Sequence, residues 1–300
     1  MTQLGELVNV AMPAGLNASA KCPFNASPPT DEVSEEDENL AKDDVNRQQE
    51  NNGGVLGANL ELGGQTGWGS PGTWNMKSPP SKRIKRQPRK ESAGNAALQV
   101  SMPDLKKAGH TRMYDWKVAA HHLIPGKASL KPSTLYKKFM VKGAKLSVAG
   151  KKFTLRTHIG YNVNGNHNGV WLPGNYAIRT ASVGKSWSAA SATWQWDYAD
   201  QVIDKARGQF HDAHTHYNKN ARAALDAVGL ALINHIEAGT CTHCKGRKSG
   251  KLEPPYVLKK RLYAVSGFLR AAVRSRPPKW RYPWFTSDRF RTLMQQKSSS

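Results

Sequence analysis

Three shortages narrow the reading before any motif is considered. Cysteine is scarce: only Cys22, Cys241 and Cys244 occur in 300 residues. A disulfide scaffold is therefore excluded, and the usage suits a reducing compartment. Long apolar runs are missing. No window approaches the roughly 18 apolar residues that a spanning helix requires, so stable membrane insertion is not expected. The first residues, 1–17, lack the basic start and solid apolar stretch of a secretory signal. Collagen-like and coiled-coil periodicities are absent as well, and no internal repeat is found.

Acidic residues are few, and they are unevenly placed. Residues 1–75 hold 11 Asp and Glu against three Lys and Arg, a net of −8; residues 76–300 hold 11 against 41, a net of +30. A field of that sign and size draws a polyanion. Each Lys or Arg set on a phosphate releases counterions, which favours nucleic acid. An anionic membrane surface is the rival partner, with a basic amphipathic helix as its signature.

The composition divides the chain at 98 and at 236. Residues 31–75 combine an acidic run with Asn, Gln and Gly, and contain almost no aromatics. Such a stretch buries too little apolar area to offset its chain entropy, so a largely disordered region or linker is expected. Residues 77–90 carry seven bases and three prolines. Proline blocks helix, so an extended basic linker results. Lys82, Arg83, Lys85, Arg86, Arg89 and Lys90 are its candidate phosphate contacts. Order is expected from about residue 100. Residues 116–124 read as a strand closed by Pro125-Gly126, and residues 129–147 as a short basic helix. Residues 159–172 read as an Asn- and Gly-rich loop entering a second strand, closed by Pro173-Gly174. Apolar steps of three and four predict helix over 199–236, with Gly208 a possible break, and again over 256–275. The tail 277–290 mixes Trp and Tyr with Arg and Lys; packing on the domain competes there with base stacking. The fold class is α+β.

Histidine is concentrated. His121 and His122 close the first strand, and His211, His214 and His216 fall within the predicted helix. There His211 and His214, three apart, share one face with Asn218. Phosphodiester hydrolysis needs a base for water and a cation against the phosphate. Imidazole serves as base near neutral pH and as ligand for a divalent ion. His158, His167 and His216 read as ordinary surface or packing residues, and Tyr217 as core. Cys241 and Cys244 form one CxxC. With His235 and a fourth group they make a structural zinc site, or else they are free thiols between helices.

Three blocks together resemble a known family. They are Ala-His-His-Leu-Ile-Pro at 120–125, Asn-Gly-Val-Trp-Leu-Pro at 168–173, and His214-Thr-His-Tyr-Asn218. They resemble the AHH branch of the HNH nuclease superfamily, frequent in bacterial polymorphic toxins. The resemblance implies a ββα-metal core over 99–236, with added helices and a basic extension over 237–300. It implies His121 as metal ligand, His122 as the general base, Asn168 as the residue that orders the loop, and the helix His, here His214, as completing the metal site. His211 is an extra ligand by helical spacing alone. The implied cofactor is one divalent ion, Mg²⁺ first, then Zn²⁺, Mn²⁺ or Ni²⁺. The implied partners are DNA ahead of RNA, a cognate immunity protein, and a secretion apparatus engaged through the N-terminal region. The chain would be made in a bacterial cytoplasm, leave it without a signal peptide, and act in the cytoplasm of a target cell. The alternative reading is a basic nucleic-acid-binding protein without catalysis; a membrane-active basic toxin is a third.

Overall fold

The computed structural model describes residues 23–25, 50–62, 99–148, 150–178, 184–206, 208–237, 246, 248, 250–275, 280 and 283–292. The basic linker 77–90 and the Cys241–Cys244 pair lie outside these residues, so the expectations placed on them meet no structural description. The chain is α+β with small sheets. It folds as two compact units interleaved along the sequence: 53–121 with 169–215 and 271–300, and 1–52 with 122–168 and 216–270. All seven tryptophans among the described residues fall in the first, called here the tryptophan-rich unit; the other is the lysine-rich unit.

In the tryptophan-rich unit, β1 (Gln99–Pro103) and β2 (Thr111–Asp115) form an antiparallel hairpin, with Val100 opposite Tyr114. Val100, Met102 and Tyr114 are buried, while Ser101 and Thr111 face out, the period of two that a half-covered sheet demands. After the short α3 (Gly184–Ala189), helix α4 (Ala192–Ala206) contributes Trp194, Tyr198, Ala199, Val202 and Ile203 to the same core, at spacings of three and four. Its rings are tied to the hairpin: Trp194 Nε1–H donates to the Pro103 carbonyl (2.9 Å), and Tyr198 O–H donates to that of Asp115 (2.9 Å). Trp280, Phe285 and Phe290 of the tail complete this cluster. Packing, the first of the tail's two expected roles, is thus observed for these residues. Strand β3 (Lys117–His122) pairs with β6 (Gly169–Gly174), close to the two strands expected from their Pro-Gly closures.

One part of the stretch 31–75 departs from the expected disorder. Helix α1 (Gly53–Leu62) has Leu56 and Leu60 fully buried. Their four-residue spacing makes an apolar stripe that composition averaged over 45 residues concealed. Gly169 is the reason the helix fits: a Cβ there would lie 2.6 Å from Leu56 Cδ1.

In the lysine-rich unit, β4 (Lys145–Val148) and β5 (Lys151–Leu155) are antiparallel, and β7 (Gly250–Leu252) joins β5 in parallel. Leu146, Val148, Phe153, Leu155 and Leu252 are buried while Lys145, Ser147 and Lys152 are exposed. The basic helix expected over 129–147 is therefore mostly something else. A π-turn (Gly126–Leu130) precedes a six-residue helix α2 (Thr134–Phe139), and the rest is hairpin. Alternation of Lys145, Leu146, Ser147 and Val148 has period two, and Gly143 at φ 84° turns the chain between α2 and β4.

The helix expected over 199–236 is interrupted: after α4 the chain resumes only as α5 (Thr215–Glu237). Residues 208–214 give their backbone groups to tertiary partners instead. Gln209 N–H donates to Val273 O, His211 N–H to Pro173 O and Asp212 N–H to Thr286 O. His211 and His214 are consequently not on a helix, which corrects the helical-face argument for them. The last helix, α6 (Val257–Arg274), buries Leu258, Leu262, Val265 and Leu269, as its pattern predicts; Val273, rather than Ala272, extends the stripe. No helix among the described residues is long and apolar enough to cross a membrane.

Candidate metal centre

Three of the singled-out histidines meet in the tryptophan-rich unit. His121 (2% exposed) and His211 (6%) are buried and His214 is half-buried. Their ring centroids stand 4.9 Å (His121–His211), 5.0 Å (His121–His214) and 5.0 Å (His211–His214) apart, a near-equilateral triangle. One ligand nitrogen from each lies within 4.8 Å of the others. Nitrogens around a tetrahedral ion at about 2.1 Å are roughly 3.4 Å from one another, so small ring rotations bring all three onto one ion. These three histidines could hold a metal ion.

The backbone explains why the triangle forms. His121 is the fifth residue of β3. His211 is drawn to the end of β6 by a parallel bridge between it and Gly174. That approach needs glycine, because a Cβ on residue 174 would meet the His211 carbonyl oxygen at 2.5 Å. Asp288 fixes the loop that carries His214: its N–H donates to Ala213 O (2.7 Å) and its carboxylate accepts Thr215 N–H (2.8 Å). The carboxylate also satisfies an orphan donor at the start of α5 and suits the positive end of the helix.

Tyr176, which the sequence reasoning did not single out, lies against His211. Its hydroxyl is 3.0 Å from His211 Nδ1, and the two rings stack with centroids 5.7 Å apart. With Nδ1 so engaged, Nε2 is the nitrogen of His211 that would meet an ion. A partner on the second nitrogen is what orients most metal-binding histidines.

Compared with protein-family models, with curated proteins and with solved structures, the chain matches none.

The other two singled-out positions, His122 and Asn168, belong to the lysine-rich unit. His122 is buried, with Nε2 2.9 Å from Asn164 Oδ1. Asn168 is fully buried and ties the loop to the strand end by four bonds. Its Nδ2 donates to Ile124 O (2.9 Å) and Val163 O (2.8 Å); its Oδ1 accepts Ile124 N–H (2.8 Å) and the Ser266 hydroxyl (3.1 Å). Tyr217 O–H donates to Leu123 O (2.7 Å) in the same place, and burial pushes its phenol far above the usual range. It is core, as expected. Asn164 was also missed, although Asn at 162, 164, 166 and 168 gave a signal: amides repeating every second residue suit a loop built from side-chain hydrogen bonds.

Among the other described histidines, two make structural contacts. His158 Nδ1 accepts the Lys142 N–H (3.2 Å). His167 packs on Tyr263 with centroids 4.2 Å apart, and burial, with Lys259 and Arg270 adding to it, lowers its pKa to about 3. His216 is half-buried in the first turn of α5. His235 is half-buried in the last turn of α5, and its expected zinc partners lie outside the described residues.

Proposed function

We propose that the chain is a metal-dependent endonuclease of the AHH type, with a core of the ββα-metal kind. The observation that supports this most is the triangle of His121, His211 and His214. A divalent ion held there would supply positive charge to the scissile phosphate and to the departing oxygen. The donor set argues about which ion. Mg²⁺ prefers an octahedron of oxygens and keeps several waters, whereas imidazole suits Zn²⁺ and Ni²⁺. On that ground we favour Zn²⁺ or Ni²⁺ over Mg²⁺ and Mn²⁺.

His122 follows His121 directly in the chain, and we assign it the proton of the attacking water. The new P–O bond forms as the bond to the sugar oxygen breaks, and the water's proton goes to the imidazole. Asn168 keeps the loop behind His122 in shape. Charge supplies the substrate. Between Asp115 and Asp197 the sequence has no acid and twelve Lys and Arg, among them Lys145 and Lys152, exposed on β4 and β5. Such a surface holds phosphates, and DNA is the favoured form. The reading carries with it an acidic cognate inhibitor, export from a bacterium through the N-terminal region, and action in the target cell.

The test is digestion of plasmid DNA and of RNA by the whole chain, across Mg²⁺, Mn²⁺, Ni²⁺ and Zn²⁺. Cutting is expected, abolished by EDTA and by His122→Ala with the fold intact. DNA that is bound but uncut in every metal would establish the non-catalytic alternative instead.

A further inference from the structure

Within the lysine-rich unit, the Asn164 amide is held in one orientation. Its Oδ1 accepts the Asn52 backbone N–H (3.0 Å), and its Nδ2 donates to the Glu50 carbonyl (3.1 Å). Both partners are backbone groups whose roles cannot be exchanged. A flipped amide would set donor against donor at Asn52 and acceptor against acceptor at Glu50. The atom 2.9 Å from His122 Nε2 is therefore oxygen, and a carbonyl oxygen only accepts. His122 must place its proton on Nε2. In the neutral ring the basic lone pair then belongs to Nδ1. The clip reaches further, because Asn51 Oδ1 accepts Gly126 N–H (2.6 Å) from the π-turn.

We infer that Asn164, locked by the backbone of residues 50–52, is the positioning residue that fixes the ring and tautomer of His122, so that proton abstraction falls to Nδ1. This rests on the proposed nuclease function and gives it a part that lies outside the three family-like blocks. It makes residues 50–52, 70 to 72 residues before His122, a component of the catalytic machinery. Asn164 acts through His122 and touches neither water nor phosphate.

The test has two arms. In the first, ¹⁵N-detected NMR of the metal-free whole chain reads the His122 tautomer. Nε2–H is expected in the native protein, and a mixture of tautomers in Asn164→Leu. Nδ1–H in the native protein, or an unchanged tautomer in Asn164→Leu, overturns the inference. In the second, steady-state cleavage is compared. Asn164→Leu should lower kcat by roughly 10- to 100-fold with KM unchanged, the scale expected when a general base loses its aim. Asn164→Asp keeps an oxygen acceptor for His122 Nε2–H but turns a carboxylate oxygen on the Glu50 carbonyl, so it should restore part of the kcat that Asn164→Leu loses. Equal kcat in Asn164→Leu and native protein, or a change in KM alone, refutes the positioning role. Should Asn164→Leu fail to fold, Asn164→Asp and Asn164→Ser carry the comparison. Should the native chain cut nothing, the nuclease reading falls while the NMR arm still decides the tautomer.

Discussion

Replacement of Asn168 by alanine isolates the side chain on which the ordering of the 161–168 loop depends. The residue is fully buried, and its amide makes four hydrogen bonds at 2.8–3.1 Å, three of them with the backbone of Ile124 and Val163. Alanine leaves one N–H and two C=O groups unpaired in the interior, while the Ser266 hydroxyl keeps only its 3.4 Å contact with the Tyr161 hydroxyl. A buried donor or acceptor left unsatisfied costs about 1–3 kcal/mol. Water admitted to the vacated space recovers part of this, so the net loss should be roughly 3–5 kcal/mol, a large share of the ~5–15 kcal/mol that holds a domain together. Asn168→Asp should be no milder, since it keeps the acceptor but turns a carboxylate on two carbonyls. The assay is urea unfolding followed by fluorescence and circular dichroism, comparing midpoints at a common slope. A loss below about 1 kcal/mol, with the slope unchanged, would show that the network is not what orders this loop.

Three other outcomes follow from particular contacts. Tyr176→Phe removes the hydroxyl from His211 Nδ1 and should weaken metal binding about 10- to 100-fold by calorimetry, leaving stability nearly unchanged; native affinity would remove Tyr176 from the site. Gly229→Ala would place a Cβ 2.6 Å from Leu135 N, so the gain of roughly 1 kcal/mol usual for a helix interior should invert to a loss of about 1–3 kcal/mol in thermal unfolding; a stabilised variant would refute that packing. His167 is protonated in the unfolded chain below 6.5 but in the folded chain only below about 3. The unfolded state binds the extra proton between these values, so stability is complete above pH 6.5 and falls as pH drops towards 3. His167→Gln should flatten that limb in denaturation series, and an identical pH dependence in the variant would contradict the cause.

How far the sequence revealed this molecule depended on whether the deciding contacts were local. Strands β3 and β6 were legible because short apolar runs end at Pro-Gly pairs, and α6 because Leu258, Leu262, Val265 and Leu269 mark one face. The hairpin over 145–155 was hidden by its lysines, which suit a helix surface and an outer sheet face equally well. His121, His211 and His214 lie together, yet the sequence pattern puts two of them on a helix. Their three-residue spacing fits a helix by coincidence, and the choice of a loop is made by Thr286 and Asp288, more than 70 residues on. Asn164 and Tyr176 act across 42 and 35 residues, distances at which no periodicity reports contact.

X-ray absorption on the whole chain loaded with Zn²⁺ or Ni²⁺ addresses the metal centre itself. The native protein should show an ion with three imidazole nitrogens at about 2.0–2.1 Å, and the triple replacement of His121, His211 and His214 by alanine should bind one ion fewer. Equal stoichiometry in the two proteins, or a coordination sphere dominated by sulfur at about 2.3 Å that the replacements leave untouched, would contradict it.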